Sequence, residues 1–256
     1  ANAIIDHVTM VQNIAEGLGG GIYINNADPS VDHSLISGNL SSAGGGVYVR
    51  NNSDPVFNHT TVAYNTSGFE GGGVYLRDNS NLIVTNSILW ENGDYQVYFR
   101  DSGDDVSLNI SYSLVENGQS GVDVNNNGSL DWGLGMLQSD PYFCNGEGGI
   151  FSLRENSPCL TAGDDGQVIG CYNAGCGPIN TGPVWYVDEL GNNSSDGSLD
   201  TPFLTIQRAV DACVDGDTVR LNPGIYIEQI DFNTKNIVLE SRAYELEESE
   251  IIRQTI

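Results

Sequence analysis

A glycine-rich segment recurs three times in this chain at nearly even spacing. The copies begin at Leu18, Ala43 and Glu70 and read LGGGIYI, AGGGVYV and EGGGVYL. A second marker, an asparagine, recurs in step with them at Asn13, Asn39, Asn65, Asn92 and Asn117. Successive units are therefore 25 to 27 residues long. A period near 26 held over five units predicts a repeat architecture in which each unit packs mainly on its neighbours.

Each unit contains two short strand patterns and no segment of helical periodicity. One is an aliphatic–tyrosine–aliphatic triplet, as at residues 47–49, and the other precedes the marker asparagine. Short strands joined by glycine and asparagine corners predict an all-β solenoid in which each repeat is one coil. Equivalent residues then stack at about 4.8 Å along the axis. We expect the aliphatic residues to point inward and the five asparagines to form a hydrogen-bonded structural ladder.

The coils and the sequence after them resemble a known family. GGGVYV…SGN coils followed by residues 139–163 (SDPYFCNGEGGIFSLRENSPCLTAG) look like the right-handed parallel β-helix repeat proteins that bacteria secrete, in particular their surface-anchored, adhesin-like subset. Residues 185–241 are similar to the opening of such a domain. The resemblance implies a right-handed parallel β-helix located outside the cell or at its surface. It does not fix the function, because the family includes adhesins, surface fibres and polysaccharide-acting enzymes.

The chain divides into segments of different composition. We expect β-helix coils in residues 1–120, a closing segment with clustered cysteines in 121–177, a linker in 178–184, and the opening of a second β-helix in 185–256. Residues 202–214 predict a capping helix, with Pro202 in its first turn. The apolar stripe of this helix is expected to contain Phe203, Ile206, Ala209, Val210 and Cys213. Strands are expected after the helix.

The two ends of the chain invite a prediction about assembly. The sequence begins inside the coil pattern and stops in strand-like residues. This is expected of a window on a longer tandem array, or of subunits that join head to tail through open solenoid ends. Uncapped β edges recruit further strands, and a head-to-tail contact propagates into a filament.

The charge of the chain limits the classes of molecule that are expected to bind it. Asp and Glu number 34 against 9 Lys and Arg, for a formal net charge of −25. Nucleic acids and anionic membranes are polyanions, so neither is expected to bind. No apolar run approaches the roughly 20 residues of a membrane span, so membrane insertion is not expected. Copies of the chain itself are the predicted partner, with glycans as the alternative.

The cysteines indicate an oxidising compartment. Cys144, Cys159, Cys171 and Cys176 fall close together, while Cys213 stands apart. The absence of a C-x-x-C pair argues against a zinc knuckle, and four clustered cysteines predict two disulfides. Three pairings are open, of which Cys144–Cys159 with Cys171–Cys176 is preferred. Cys213 is predicted to be a buried free thiol.

Two outward columns carry candidate binding residues. The first is a tyrosine and arginine face formed by Tyr23, Tyr48, Tyr75, Tyr98, Arg50, Arg77 and Arg100. It predicts either a flat ribbon for a glycan, an acidic polymer or a protein, or a surface ladder in which arginines pair with Asp78 and Asp101.

The second column is His7, His33 and His59, continued by Asn86 and Ser111. Stacked imidazoles are candidate metal ligands. However, a slot that also accepts Asn and Ser indicates a hydrogen-bonding corner.

Calcium is the candidate cofactor. The stretch DVNNNGSLD places side-chain oxygens at Asp123, Asn125, Asn127 and Asp131, as at the front of an EF-type loop. The twelfth position is Leu134 rather than Glu, so the full motif is broken.

No catalytic constellation is visible in the sequence. The aspartates of the repeats are scattered, and no Ser/His/Asp or Cys/His set can be recognised. A glycosidase needs paired carboxylates in one cleft. We therefore expect no enzymatic activity and predict a structural subunit of an extracellular fibre, surface layer or adhesin. The alternative is a carbohydrate-binding or polysaccharide-cleaving β-helix that uses the tyrosine and arginine face.

Overall fold

The computed structural model describes residues 2–100, 105–125 and 128–242. The chain forms two compact units, Ala1–Gly177 and Pro178–Ile256. The division falls at the start of the segment for which the sequence predicts a linker. Each unit is described by itself below.

The first unit is a parallel β-solenoid of about six coils, each about 26 residues long, as the repeat predicts. Its strands in chain order are β1 (Ile4–Asp6), β2 (Thr9–Val11), β3 (Ile22–Asn25), β4 (Ser30–Asp32), β5 (Leu35–Ser37), β6 (Leu40–Ser41), β7 (Val47–Arg50), β8 (Val56–Asn58), β9 (Thr61–Ala63), β10 (Thr66–Ser67), β11 (Val74–Leu76), β12 (Asn81–Thr85), β13 (Ile88–Trp90), β14 (Val97–Phe99), β15 (Val106–Ser111), β16 (Leu114–Val115), β17 (Val122–Asp123) and β18 (Gly128–Trp132).

Three parallel sheets form the sides of the solenoid. The first has the order β1-β4-β8-β12-β15-β18, the second β2-β5-β9-β13-β16, and the third β3-β7-β11-β14-β17. In the turn between the second and third sheets, β6 and β10 pair as a two-stranded ridge. Equivalent residues pair across coils, as Tyr23 does with Tyr48 and Tyr48 with Tyr75. One repeat in the sequence is thus one coil in the structure.

The apolar residues that flank the tyrosines form the core, as predicted. The following are at most 1 % exposed: Val47, Val49, Val74, Leu76, Val97 and Phe99. They pack against inward residues of the other two sheets, such as Val31, Phe57 and Ile36. Complete burial of one such side chain contributes about 1.5–3 kcal/mol, so the stack of coils is held mainly by this column of aliphatic contacts.

The coil sheets run past the predicted boundary at residue 120. Strand β17 pairs with β14, β18 pairs with β15, and Leu137 bridges Leu114. The last coil was not recognisable from the sequence because it carries neither the glycine triplet nor the tyrosine triplet.

The closing segment lies along the side of the solenoid. It contains β19 (Phe143–Asn145), β20 (Ile150–Arg154) and β21 (Ala174–Cys176), which form a small mixed sheet. Short 3-10 helices cover Gly118–Gly121 and Pro158–Thr161. Leu153 and Ile169 pack on Ile88 and Leu114, which face outward from the second sheet. The segment thus covers the outer face of a sheet whose inner face lines the core.

The predicted disulfides are wrong. Cys144 is bonded to Cys176, with a Cα–Cα distance of 6.0 Å, while Cys159 and Cys171 are free thiols. The Cys144–Cys159 and Cys171–Cys176 pairings assumed that near neighbours in sequence meet. Instead, the small sheet brings Cys144 and Cys176 together beside the Leu153 carbonyl.

The unbonded cysteines of the segment are part of its packing. Cys159 is completely buried among Ile88, Leu114 and Ile169, and burial raises the pKa of its thiol to about 12. Burial likewise raises the pKa of the Cys171 thiol to about 11. Both thiols are therefore protonated at neutral pH and belong to the contact between the closing segment and the second sheet.

The second unit is built around one short helix. It contains β22 (Val184–Val187), α1 (Ile206–Ala212), β23 (Thr218–Leu221) and β24 (Val238–Ser241), and the strands form a parallel sheet in the order β22-β23-β24. The predicted apolar stripe is confirmed. Its members are between 0 % and 5 % exposed: Phe203, Ile206, Ala209, Val210 and Cys213. Cys213 is a buried free thiol, as predicted.

The predicted start of the helix is wrong. The helix begins at Ile206 rather than near Pro202, because the hydroxyl of Thr205 accepts a hydrogen bond from the Arg208 N–H and caps it. Glu228 completes the cap, since its carboxylate accepts hydrogen bonds from the N–H groups of Ile206 and Gln207. Phe203, two residues before the cap, makes a parallel bridge to Val187.

Candidate functional site

The asparagine column forms a continuous amide ladder inside one corner of the solenoid. The side-chain oxygen of Asn39 accepts from both the backbone N–H and the side-chain amide of Asn13, at 2.9 and 2.8 Å. The side-chain oxygen of Asn65 likewise accepts from the backbone N–H and the side-chain amide of Asn39. The side-chain oxygen of Asn92 accepts from the same two groups of Asn65. Asn39, Asn65 and Asn92 are at most 1 % exposed. Each amide therefore satisfies buried groups of two coils, as a structural ladder should.

The ladder ends one step before the sequence predicts. The side-chain amide of Asn92 donates to Gln96, whose own amide donates to the carboxylate of Glu116, each at 2.7 Å. Asn117 does not continue the column, because the pairing of Leu89 with Val115 places it beside Glu91. Asn117 instead has a left-handed backbone (φ 61°) and begins a 3-10 helix. Inclusion of Asn117 in the ladder was therefore wrong by one residue.

The glycine triplets are explained by the ladder. The first glycine of the second triplet, Gly44, has a φ of 64°, which favours glycine. The third, Gly46, faces the amides: a Cβ there would lie 3.0 Å from the Asn65 amide nitrogen and 2.7 Å from the Gly73 carbonyl oxygen. The triplets therefore provide the tight corner and the close backbone approach that the amide column needs.

A hydroxyl column next to the histidines was missed. The hydroxyls of Ser34, Ser87 and Ser113 accept hydrogen bonds from the backbone N–H groups of Val8, Thr60 and Ser87. All three hydroxyl-bearing residues are at most 1 % exposed. The sequence does contain a pattern that predicts this column. A Ser or Thr directly follows the corner residue in the dipeptides HS, HT, NS and YS, at residues 33–34, 59–60, 86–87 and 112–113.

The tyrosine and arginine face is not an open ribbon. The tyrosines do stack, with ring centroids 5.7 Å apart for Tyr23 and Tyr48 and 4.8 Å apart for Tyr48 and Tyr75. However, Tyr48 and Tyr75 are only 2 % and 8 % exposed, since they pack with Ala43 and Tyr98, whereas Tyr23 is 45 % exposed. Burial raises the pKa of Tyr75 to about 12. The expected flat aromatic surface is therefore reduced to Tyr23 on the first coil and part of Tyr98.

The arginines of this face form a surface ladder with an aspartate, which was the alternative to a ligand-binding ribbon. Arg50 and Arg77 place their Nε atoms 3.2 and 2.7 Å from the Asp78 carboxylate. Arg77 also donates to the hydroxyl of Tyr48 at 3.4 Å. Arg100 lies one coil further along the same column. The second predicted partner, Asp101, lies outside the described residues.

Two of the candidate calcium ligands, Asp123 and Asp131, lie in different sheets. Asp123 is in β17 and accepts from the backbone N–H of Asn125, whose side-chain amide donates to the Phe99 carbonyl. Asp131 is in β18, where it accepts from the amide of Asn109 at 3.2 Å. Asn127 lies outside the described residues. Calcium at this position stays a prediction.

The histidine column is a stack on the outside of a corner. His7 and His33 have ring centroids 4.9 Å apart, and His33 and His59 4.7 Å apart. All three have left-handed backbones, with φ of 54°, 42° and 43°. Asn86 continues the column, but Ser111 does not: it pairs with Thr85, so the next member is Tyr112 (φ 46°).

Within the described residues, Asp6, His7 and His33 form the group of acidic and imidazole side chains that is able to hold a metal ion. One ligand atom from each lies within 4.8 Å of the other two. The sequence showed the histidines but not the carboxylate, because Asp6 and His7 face the same side only at a left-handed corner.

A groove opens where the β6–β10 ridge stops. The turn from Asn65 to β11 is longer than the turn from Asn92 to β14, so a step is left in the surface. The step is a groove of about 250 Å³ lined by Phe69, Glu70, Asp94 and Tyr95 among others. Phe69 is 75 % exposed. Two aromatic rings and two carboxylates thus face one concave surface, which sequence reasoning had not singled out.

Comparison with known proteins identifies the solenoid region. Residues 3–135, just over half of the chain, match the family described as "Right handed beta helix region". Neither the curated proteins nor the solved structures contain a match. No helix of the described residues is long and apolar enough to cross a membrane.

Proposed function

The chain belongs to the right-handed β-helix family, and on that premise we propose that it is a structural unit of an extracellular fibre, surface layer or adhesin. The observation that carries this proposal is the edge of the solenoid formed by the first described coil. Among the described residues, β1, β2 and β3 are each the outermost strand of their sheet. Unpaired β edges are sites where further strands add.

At this edge, the first residue of each side-chain column could stack on an equivalent residue of a further coil. His7, Asn13 and Tyr23 are the first members of their stacks, and each is partnered on one side by the second coil. Apolar side chains are also exposed there, with Ile4 at 82 % and Ile14 at 78 %. A further coil would extend the hydrogen-bonded ladders and bury these side chains, which favours association at this end.

We propose that the added coil comes from the second unit of another copy. That unit ends its described sheet with β24, where Val238 is 50 % exposed and Leu239 is 37 % exposed. A contact between the β24 side of one copy and the β1–β3 side of the next is heterologous, so it propagates into a filament. The partner of the chain is then a copy of itself.

Two further observations support a location outside the cell. The Cys144–Cys176 disulfide persists only where conditions are oxidising. The formal net charge of −25 is tolerated where salt or calcium screens it. Calcium is accordingly proposed as an ion that stabilises the joints between subunits.

Assembly is tested by light scattering and negative-stain electron microscopy. Filaments with an axial repeat of one subunit are expected from the unaltered chain. Ile22→Lys places a charge at the inward side of the edge strand β3, and Met10→Lys does so on β2. Both variants should leave particles of 27.4 kDa. Ile83→Lys, on an exposed residue in the middle of the solenoid, is the matched control and should still assemble. Repeating both measurements with a calcium chelator shows whether the contacts between subunits need calcium.

The proposal fails if the unaltered chain stays at 27.4 kDa at every concentration and calcium level. Equal loss of assembly in all three lysine variants would also overturn it, because the effect would then come from charge rather than from the edge. Circular dichroism of each variant shows whether the solenoid itself has been preserved.

Glycan binding is a second candidate function, favoured by the groove rather than by the tyrosine and arginine face. Phe69 and Tyr95 offer apolar ring surfaces, while Glu70 and Asp94 offer hydrogen-bond acceptors for hydroxyl groups. Phe69→Ala with Tyr95→Ala should abolish binding on a glycan array, whereas Arg50→Ala should leave it unchanged. The opposite result would assign binding to the arginine column, and the absence of binding to any glycan would remove this candidate.

A further inference from the structure

The first two corners of the histidine column place carboxylates beside imidazoles. The His7 Nδ1 lies 2.7 Å from Asp6 Oδ1, and the His33 Nδ1 lies 3.0 Å from Asp32 Oδ1. Since an ionised carboxylate accepts but cannot donate, the His7 Nδ1 carries the ring proton in its hydrogen bond to Asp6. The two imidazoles stack with their planes parallel to within 5°.

We propose that this corner binds one divalent transition-metal ion, such as Zn²⁺, through Asp6, His7 and His33. Imidazole nitrogen with one carboxylate oxygen is a donor set that suits zinc and copper. The three ligand atoms lie within 4.8 Å of one another, and a zinc ion bonded to each at about 2 Å needs them roughly 1.5 Å closer. The side chains are exposed enough to make this adjustment: His7 is 71 % exposed, Asp6 52 % and His33 40 %.

The proton balance of binding is simple. When the ion takes the place of the hydrogen bond from His7 Nδ1–H to Asp6 Oδ1, the His7 ring proton moves to Nε2 and the Nδ1 lone pair faces the metal. The Asp6 oxygen that accepted this hydrogen bond then becomes a ligand, while the Nδ1 of His33 stays beside Asp32 and its Nε2 binds.

Asp32 orients the second imidazole. Its Oδ1 atom accepts from the His33 backbone N–H at 3.1 Å and from the Asn58 amide at 3.1 Å, in addition to facing the His33 ring. Since Asp32 faces the Nδ1 atom of His33, the Nε2 atom of that ring is the proposed ligand atom, as in metal sites where a carboxylate holds the non-ligating nitrogen. Asp32 is therefore a positioning residue in this site.

The third histidine is excluded by its neighbours. His59 stacks on His33, but its Nδ1 faces the carbonyl of Val168 at 3.0 Å. The residue before it is Asn58, which offers an amide where Asp6 and Asp32 offer carboxylates. The site thus ends at the second coil, and His59 provides a matched control on the same stack.

The test is isothermal titration of the whole chain with zinc chloride. One ion per chain is expected, and Asp6→Asn and His33→Gln should each weaken binding more than about tenfold. His59→Gln should leave the affinity within twofold. Zinc should raise the melting temperature of the unaltered chain and not that of His33→Gln, because only a ligand bound to the folded state stabilises it. Cobalt(II) substitution should give visible absorption bands that are lost in the same two variants.

Three results would overturn the proposal. The first is an affinity unchanged by both Asp6→Asn and His33→Gln, and the second is equal weakening in His59→Gln. The third is binding of many ions per chain with the low affinity of scattered surface carboxylates. Binding does not require end-to-end assembly, since the ligands come from neighbouring coils of one chain.

Discussion

Two columns of side chains run through the same coils and differ in what surrounds them. The asparagine column turns into the solenoid, where Asn65 and Asn92 are completely buried and every amide group is paired. The histidine column lies on the outside of another corner, where His7 and His33 are largely accessible. Both recur at the same period and both consist of polar side chains. The comparison teaches that burial, rather than repetition, decides whether a column holds the fold together or is left free to bind.

The inner column is expected to show the largest effect. Asn65→Ala removes the bonds from Asn39 and to Asn92 and Ile36, and it leaves buried donors and acceptors without partners. We expect the free energy of unfolding in urea to fall by about 3 kcal/mol or more. Asn13→Ala, at the exposed first step, should cost about 1 kcal/mol or less. Similar losses at both positions would show that the ladder gains nothing from burial.

The glycine next to the ladder should be the next most sensitive position. A Cβ at Gly72 would clash with the Asn92 carbonyl oxygen, whereas at Gly68 the nearest atom would be 3.8 Å away. Gly72→Ala should therefore destabilise the solenoid by about 1–3 kcal/mol in chemical denaturation. Gly68→Ala serves as the control and should be nearly neutral. If Gly72→Ala proved equally neutral, the close packing of this corner would be disproved.

The tyrosine stack lies between the two extremes, and alkaline pH tests it. Burial raises the pKa of Tyr75 to about 12 in the fold, against 10.0 for a free tyrosine, so ionisation is less favourable in the folded chain than in the unfolded chain. The stabilising contribution is complete below pH 10 and is lost as the pH rises toward 12. The urea midpoint should fall across this window, and less steeply in Tyr75→Phe. Tyr64 and Tyr226 also have pKa values near 12, so part of the fall should remain.

The outer columns should contribute least to stability. Arg50→Ala removes one of the two guanidinium groups on Asp78, and partly exposed pairs of this kind contribute about 0–1 kcal/mol. The loss should shrink further in 1 M salt, which screens the pair. His33→Gln should likewise change the unfolding free energy by about 0.5 kcal/mol or less in metal-free buffer. If His33→Gln lowered the unfolding free energy by several kcal/mol, the histidines would instead have a structural role like that of the asparagine ladder.

Patterns along the axis of the solenoid were predictable from the sequence. The period of about 26 residues sets which residues stack, so the coils, the inward aliphatic residues and the ladder from Asn13 to Asn92 could be recognised before the structure. The apolar stripe of the helix from Ile206 to Ala212 followed in the same way from spacing. These features depend on residues close in sequence or on exact repetition, and both are visible in one dimension.

Where the marker spacing falls to 25 residues, the prediction failed by one residue. The strands there still pair at a spacing of 26, as Thr85 does with Ser111 and Leu89 with Val115, so Ser111 and Asn117 lie outside the columns to which the spacing assigned them. Neighbouring residues in a coil have opposite orientations, so a slip of one residue changes what a side chain contacts. Pairing between strands, rather than the count of residues, sets the register at that point.

The sequence by itself determined that this protein is a β-solenoid with about 26 residues in each coil, because regular spacing of aliphatic and amide side chains is sufficient to specify coil-on-coil stacking. The right-handed β-helix followed from the resemblance to a family, which the family match supports. Lateral contacts were decided only by the tertiary structure. They include the packing of the closing segment on the second sheet, the Cys144–Cys176 disulfide, the burial of Tyr48 and the meeting of Asp6 with His33. The physical reason is that these contacts depend on the direction in which each turn leaves its coil.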